Sequence, residues 1–314
     1  MRHGLGFVLA PELSDRVARY ARGALVAAEG LGRIPTPLDD VTEALRLGSP
    51  EDLFQLGDAP RRLRQIIDRL RGKVLGALSV RERVVYVDRS QSWERQRFAH
   101  AHELGHEALP WHPDAYFGDD RYTLHPDTRI LLESEASRFG ADLLFQLGRF
   151  TELAAESRLG LAVPLDLAEM FQTSRHASIR RYVETNPRSC ALLMFGKYLV
   201  HPQGQPSLKL LAALESPTFR DRYGAVSTLL PGTWRLDDSA LAQDAYEAIT
   251  GETSEPVASG TVRVDETKRG AVTLAYEIFS NTYTAFALLY RRRRSVTQQV
   301  TVEWAPEGGG PNGR

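Results

Sequence analysis

One cysteine, Cys190, in 314 residues excludes an internal disulfide framework and any metal site built on several thiolates. A reducing compartment is therefore expected. No stretch approaches the roughly 18 consecutive apolar residues of a bilayer-spanning helix. The N-terminus, MRHGLGFVLAPELSDR, lacks the apolar region of about 7–15 residues and small-residue cleavage site of a secretory leader. The formal net charge is only −1, so no overall field draws the chain toward nucleic acid or an anionic membrane. Internal repeats are missing as well. These absences leave a soluble, cytoplasmic globular protein as the expectation, with enough length for two or three domains.

What is present begins with helices. Leu13, Val17, Tyr20, Ala21, Leu25 and Ala28 recur at helical spacing between Pro11 and Gly30. After the break at Ile34-Pro35-Thr36-Pro37, short helices are expected over Asp39–Leu47 and Pro60–Leu70. Val74–Val80 and Val84–Val87 are β-rich runs around charged Arg81-Glu82-Arg83, which predicts a hairpin. A helix is expected from Ser92 toward Leu109, with Ser90 as a candidate cap and Pro110 as its stop. Ile130–Phe150 reads as one long helix and Leu153–Leu159 as a short one. Pro164–Phe171 and Ser174–Glu184 form a helical pair around a tight turn, ended by Asn186-Pro187. Strands follow at Ala191–Val200, Leu208–Leu214, Val272–Phe279 and Tyr283–Tyr290, the last two joined through Ser280-Asn281-Thr282. The Gly- and Pro-rich tail from Pro306 predicts disorder. The fold class expected is α+β. Residues 1–160 form a helical domain with one small sheet, 161–187 a helix-turn-helix-like pair, 188–305 a strand-rich domain and 306–314 a tail.

The chemistry concentrates in His102-Glu103-Leu104-Gly105-His106. On a helix, residues i and i+4 project from one face, so the two imidazoles can clasp one ion. Zinc suits neutral imidazole nitrogens in a tetrahedral site with one position kept for water. Glu103 lies about 100° around the helix. There its carboxylate can take a proton from that water and pass it to a leaving amine. Gly105 costs roughly 0.5–1 kcal/mol against alanine mid-helix, which implies that something approaches the helix closely.

A third ligand is needed, and a following helix offers Glu133 and Glu135. Positions i and i+2 point about 200° apart, so only one can face the metal. Glu133 shares its face with Ser137, Gly140, Ala141 and Leu144, a small and apolar stripe suited to packing beside the first helix. Glu135 shares its face with Arg138 and Asp142, which reads as solvent. Glu133 is the preferred third ligand, with Glu135 the alternative.

Glu94-Arg95-Gln96-Arg97-Phe98 leading into Ala101–His106, followed by Glu133, Ala136, Ser137, Gly140, Ala141, Leu143 and Leu144, resembles the ImmA/IrrE family of metallopeptidases. Two positions depart from that pattern: Ser137 stands where Asn is usual, and Phe145-Gln146 where Met-Pro often follows. The first bears on how a ligand histidine is supported. The resemblance spans roughly residues 10–185 and implies a zincin-like domain binding one Zn2+ per chain, with Mn2+ able to substitute. It implies a cytoplasmic endopeptidase that cuts a helix-turn-helix (XRE-type) repressor in a stress or mobile-element response. Val84, Val85, Tyr86 and Val87 would then be the edge strand that pairs with an extended substrate. The pair at 165–183 and the strand-rich remainder would correspond to the helix-turn-helix-like unit and GAF-like sensor of the radiation-response branch.

Other features are weighed against blander roles. Arg175, His176, Arg180 and Arg181 on the second helix of the pair could touch DNA, but Asp166, Glu169 and Glu184 flank them and no broad basic face emerges; a packing role is preferred. The run Arg291–Arg294 reads as a solvated strand end. His112, His125 and His176 read as surface histidines; one of them, or Tyr116 or Tyr122, is a candidate oxyanion stabiliser. Cys190 reads as buried rather than reactive. A second function class stays open: a non-proteolytic regulator, with a structural or vestigial zinc site, that binds a partner or DNA.

Overall fold

The computed structural model describes residues 9–54, 75–79, 82–112, 126–200, 206–236, 239–251 and 258–292. The helix expected at 60–70 and the tail from 306 lie outside these residues. Helix α1 (Pro11–Ala27) starts with proline at its first position, where no backbone N–H is needed, and buries Val17, Ala21, Ala24 and Leu25. Helix α2 (Leu38–Ala44) buries Leu38, Val41 and Thr42. Strands β1 (Gly48–Asp52), β2 (Gly76–Ser79) and β3 (Val84–Val87) form a small sheet. Its order is β1-β3-β2, with β1 parallel and β2 antiparallel to β3.

That order corrects one expectation. Val84–Val87 is the central strand, not an edge, because β1 and β2 occupy both of its sides. Its backbone therefore has no row of groups left for a substrate. The open side nearest the helix Trp93–Ala108 belongs, among the described residues, to β2.

Helix α3 (Trp93–Ala108) carries the His-Glu-x-x-His segment, and α4 (Pro126–Leu144) crosses it. Two glycines let the backbones approach. A β-carbon on Gly105 would lie 3.1 Å from the Ala136 Cα and carbonyl oxygen, and one on Gly140 would lie 3.1 Å from the Ala101 carbonyl carbon and the His102 nitrogen. Ser92 precedes α3 without a capping bond. Ser90 instead donates its hydroxyl to Asp88 at 2.6 Å. Helix α4 ends at Leu144, short of the expected Phe150, because Gln146 and Leu147 turn left-handed (φ 51° and 57°). The Gln146 amide offsets that turn by accepting from Gly32 N (2.8 Å) and donating to Thr36 Oγ1 (2.8 Å). Leu25, Val85, Ala101, Leu104, Phe139 and Leu143 anchor the core shared by these elements.

Beyond α4 come α5 (Arg149–Glu156), α6 (Ala162–Phe171) and α7 (Arg175–Glu184). The turn between α6 and α7 is built by left-handed Gln172 (φ 52°) and by Ser174, whose hydroxyl caps Ala177 N. These helices lie on one face of a six-stranded sheet: β4 (Cys190–Val200), β5 (Pro206–Glu215), β6 (Thr233–Arg235), β7 (Ala258–Thr267), β8 (Gly270–Ser280) and β9 (Thr284–Tyr290). The order is β6-β5-β4-β9-β8-β7, antiparallel throughout. Helices α8 (Pro217–Tyr223), α9 (Val226–Leu229) and α10 (Ala240–Thr250) accompany the opposite face.

Covering both faces explains the near-continuous apolar runs of β4 and β9. Ala191, Leu193 and Phe195 pack with α10, whereas Cys190, Leu192 and Met194 pack with α6 and α7. Each fully buried Leu or Phe here contributes about 1.5–3 kcal/mol. Strands β1, β6 and β7 and helices α8 to α10 escape the sequence pattern. Among the described residues no helix is long and apolar enough to cross a membrane.

Candidate metal centre

The helical repeat of α3 brings His102 and His106 onto one face, and the glycine crossing sets α4 beside it. His102 Nε2 lies 3.2 Å from His106 Nε2 and 3.2 Å from Glu133 Oε2, and His106 Nε2 lies 3.9 Å from the same oxygen. These three form the cluster of possible metal-ligating groups found among the described residues. Bonds of about 2.0–2.1 Å in a tetrahedral site separate ligand atoms by about 3.3 Å. The observed edges match that figure closely enough for one ion to sit between two imidazole nitrogens and a carboxylate.

Charge at the cluster is set in the same direction. Bonds to His102 and then His106 hold the Glu133 carboxyl well below the usual carboxylate range, against the opposing effect of burial. The carboxylate is thus ionised, as a ligand must be. The Glu133 side chain is 43% exposed while that of His106 is 6% exposed, so the cluster opens to solvent on the carboxylate side. Phe98, one turn before His102 on α3, borders it with ring centroids 6.3 Å apart.

Glu103 is buried on the side of α3 that meets β2. A β-carbon at Gly76 would come within 3.1 Å of Glu103 Cγ and Oε1. A side chain at that position would press on the carboxylate and require it to shift by a few tenths of an ångström. Glu103 therefore lies against the first residue of β2.

Each histidine has a partner on its other nitrogen. Ser137 Oγ lies 3.2 Å from His102 Nδ1, so serine supplies support at the position where the family pattern has Asn. His106 Nδ1 lies 3.0 Å from His112 Nδ1, and His112 Nε2 lies 2.9 Å from Glu135 Oε2. Trp111 donates its indole N–H to the same oxygen at 2.8 Å. Burial pushes the His112 pKa down to about 4, leaving a neutral ring.

Several expected positions fall elsewhere. Glu135 does not join the cluster; it is 1% exposed, not on a solvent face, and its carboxylate is committed to His112 and Trp111. Asp142 is equally buried, held by Arg138 at 2.6 Å and Arg181 at 3.3 Å. His112 is fully buried rather than a surface residue. His176 packs its ring on Phe286, Arg180 pairs with Glu184 and Arg175 with Glu169. His125, Tyr116 and Tyr122 lie outside the described residues. Cys190 is buried, and burial pushes its thiol up to about 12. The support that sequence reasoning missed is Trp111-His112. Its signal was an aromatic and a third histidine six residues past His106, immediately after the helix stop at Pro110.

Two crossing helices bring two imidazoles and a carboxylate to one point, an arrangement that could hold a metal ion. Residues 65–182 match the family model described as the IrrE N-terminal-like domain, Peptidase_M78. Over those residues the chain is similar to the IrrE N-terminal-like domain. Among solved structures, a Mycobacterium tuberculosis transcriptional regulator shares 11% identity over 90% of this chain and 88% of that one, with a TM-score of 0.44. Comparison with curated proteins finds no match.

Proposed function

We propose that this chain is a zinc-dependent endopeptidase that cuts a helix-turn-helix repressor protein, holding zinc through His102, His106 and Glu133. The observation that carries the reading is the convergence of His102 Nε2, His106 Nε2 and Glu133 Oε2 at tetrahedral spacing. Bound there, the ion would polarise the scissile carbonyl and make water acidic enough to attack near neutral pH. Glu103 accepts the proton that water releases and delivers it to the leaving amine. Strand β2 is the edge offered to an extended peptide, since its outer side is free among the described residues and its first residue touches Glu103. Such pairing would hold the peptide backbone beside Glu103.

The repressor as substrate follows from the family resemblance, and the C-terminal sheet is read as the sensor controlling the cut. A physical link supports that assignment: Arg181 on α7, which lies on the sheet, donates to Asp142 on α4, the helix that carries Glu133.

Glu103→Gln tests the mechanism. The variant is expected to bind zinc as the unaltered chain does and to cleave a co-encoded helix-turn-helix regulator about 10²–10⁴-fold more slowly, followed by gel and mass spectrometry. Undiminished cleavage would remove Glu103 from the mechanism. Regulation that survives His102→Ala together with Glu103→Gln, without any proteolysis, would favour the non-proteolytic reading.

A further inference from the structure

The nitrogen of His106 that faces away from the cluster opens onto a buried polar chain. His106 and His112 meet Nδ1 to Nδ1 at 3.0 Å, and His112 Nε2 meets Glu135 Oε2 at 2.9 Å. His112 is 0% and Glu135 1% exposed. Hydrogen-bond logic assigns every proton. A histidine that ligates through Nε2 needs its lone pair there, so its ring proton sits on Nδ1. His106 Nδ1–H then donates to His112 Nδ1, which must be bare. The His112 proton is consequently on Nε2, where it donates to the Glu135 carboxylate. No other assignment satisfies both contacts while leaving His106 Nε2 free to ligate.

Burying a carboxylate is costly unless it is paired and hydrogen-bonded. The Trp111 indole gives Glu135 one neutral bond. Arg16, an ion-pair partner at 3.9 Å, is 46% exposed in its side chain and lies over the Trp111 ring at 4.0 Å. That long, half-solvated pair does not match a charge so deeply buried. A cation at the far end of the two imidazoles would. Among the described residues His102 lacks such backing, for its Nδ1 meets a neutral serine hydroxyl. The two histidine ligands are therefore unequal.

We propose that Glu135, acting through His112, is a positioning residue for the metal: the pair fixes the tautomer and ring orientation of His106 and raises the basicity of its Nε2. The inference rests on the metal-centre reading above. It assigns a task to a carboxylate that a search for ligands alone would discard as the wrong glutamate. Support of this kind is worth about 10–100-fold in metal affinity.

The test uses the full chain and zinc alone, with affinity read by chelator competition and the fold of each metal-free variant checked by thermal melting. Glu135→Gln and His112→Phe should each weaken zinc binding by about 10–100-fold. His112→Asn, whose side-chain oxygen can accept the His106 Nδ1–H, should recover part of the loss. Imidazole ¹⁵N spectra of the unaltered zinc-loaded chain should place protons on His106 Nδ1 and His112 Nε2, a readout that needs no variant to fold. Variants that melt earlier yet bind zinc as tightly as the unaltered chain would reduce the chain to core packing and overturn the proposal. A proton on His112 Nδ1 would do the same. An unaltered chain that takes up no zinc, or one whose uptake ignores His102→Ala, overturns the metal centre itself, and that outcome is distinct from the other two.

Discussion

Cys190 illustrates how a single residue reports on its surroundings. The thiol is 0% exposed between α7 and the sheet, its backbone N–H bonds to Ser216 Oγ at 3.1 Å, and burial pushes its pKa up to about 12 from 9.0. At pH 8 that shift leaves about 10³-fold less thiolate than an exposed cysteine would have. A thiol reagent at pH 8 should therefore label the native chain only as fast as the sheet opens, and label it at once in denaturant. Rapid labelling of the native chain, followed by absorbance, would contradict this burial. Residue-level reading from sequence put His102 and His106 on one helix face at i and i+4, and their Nε2 atoms lie 3.2 Å apart. It misjudged Glu135, because charged neighbours at helical spacing look the same whether they face water or a buried polar cluster. Only the fold brings Trp111, His112 and Arg16 to that carboxylate.

Among elements, the crossing of α3 and α4 matters most. Gly140 meets the backbone of Ala101 and His102, which cannot rotate aside as a side chain could. Gly140→Ala should destabilise the chain by about 1–3 kcal/mol, read from urea midpoints. Zinc affinity should fall with it, because the displaced backbone carries a ligand. A stable variant of unchanged affinity would refute the crossing. The described helices up to Glu184 were readable from periodicity, whereas α8 to α10 were not; misplaced ends have local causes, as at Gln146, where a side chain reaching the 30–36 loop supports the turn that stops α4. Strand neighbours were readable only where a turn joins them, as for β2 with β3 and β8 with β9. Val84–Val87 has a strong β pattern but nothing in it says which side is open. Its parallel partner, Gly-Ser-Pro-Glu-Asp, has no β-forming residue and is a strand through its pairing with β3, framed by Gly48 N–H to Arg83 O at 2.7 Å and Leu53 N–H to Val87 O at 3.0 Å.

At the scale of the molecule, the helical pair α6–α7 is bound into the C-terminal sheet. Phe150, Phe171, Ile179, Tyr182 and Val183 share one apolar cluster with Leu192, Met194, Phe279, Phe286 and Leu288. Glu277 on β8 accepts the Leu161 N–H at 2.7 Å, tying the start of the pair to the same sheet. A chain ended after Pro187 would leave those five side chains in water, at about 1.5–3 kcal/mol each. It is expected to aggregate or bind a hydrophobic dye, checked by light scattering and fluorescence beside the full chain. A soluble fragment with a sharp thermal transition would show that the pair belongs with the residues before it. The face that a DNA-reading helix would need is engaged here by Phe286 against His176 and by Asp142 against Arg181.

The seven-position step from Glu133 to Gly140 acts as a measured span. Gly140 is locked against the backbone of His102 on α3, and two helical turns earlier on the same stripe Glu133 reaches both imidazoles. Inserting one residue between them would rotate the carboxylate by about 100° and shift it by about 1.5 Å, pointing it away from both imidazoles. Drift in this lineage can therefore exchange side chains along α4 far more freely than it can change their number. Among relatives, a constant count from glutamate to glycine would be the mark of a working centre, and a changed count would date its loss.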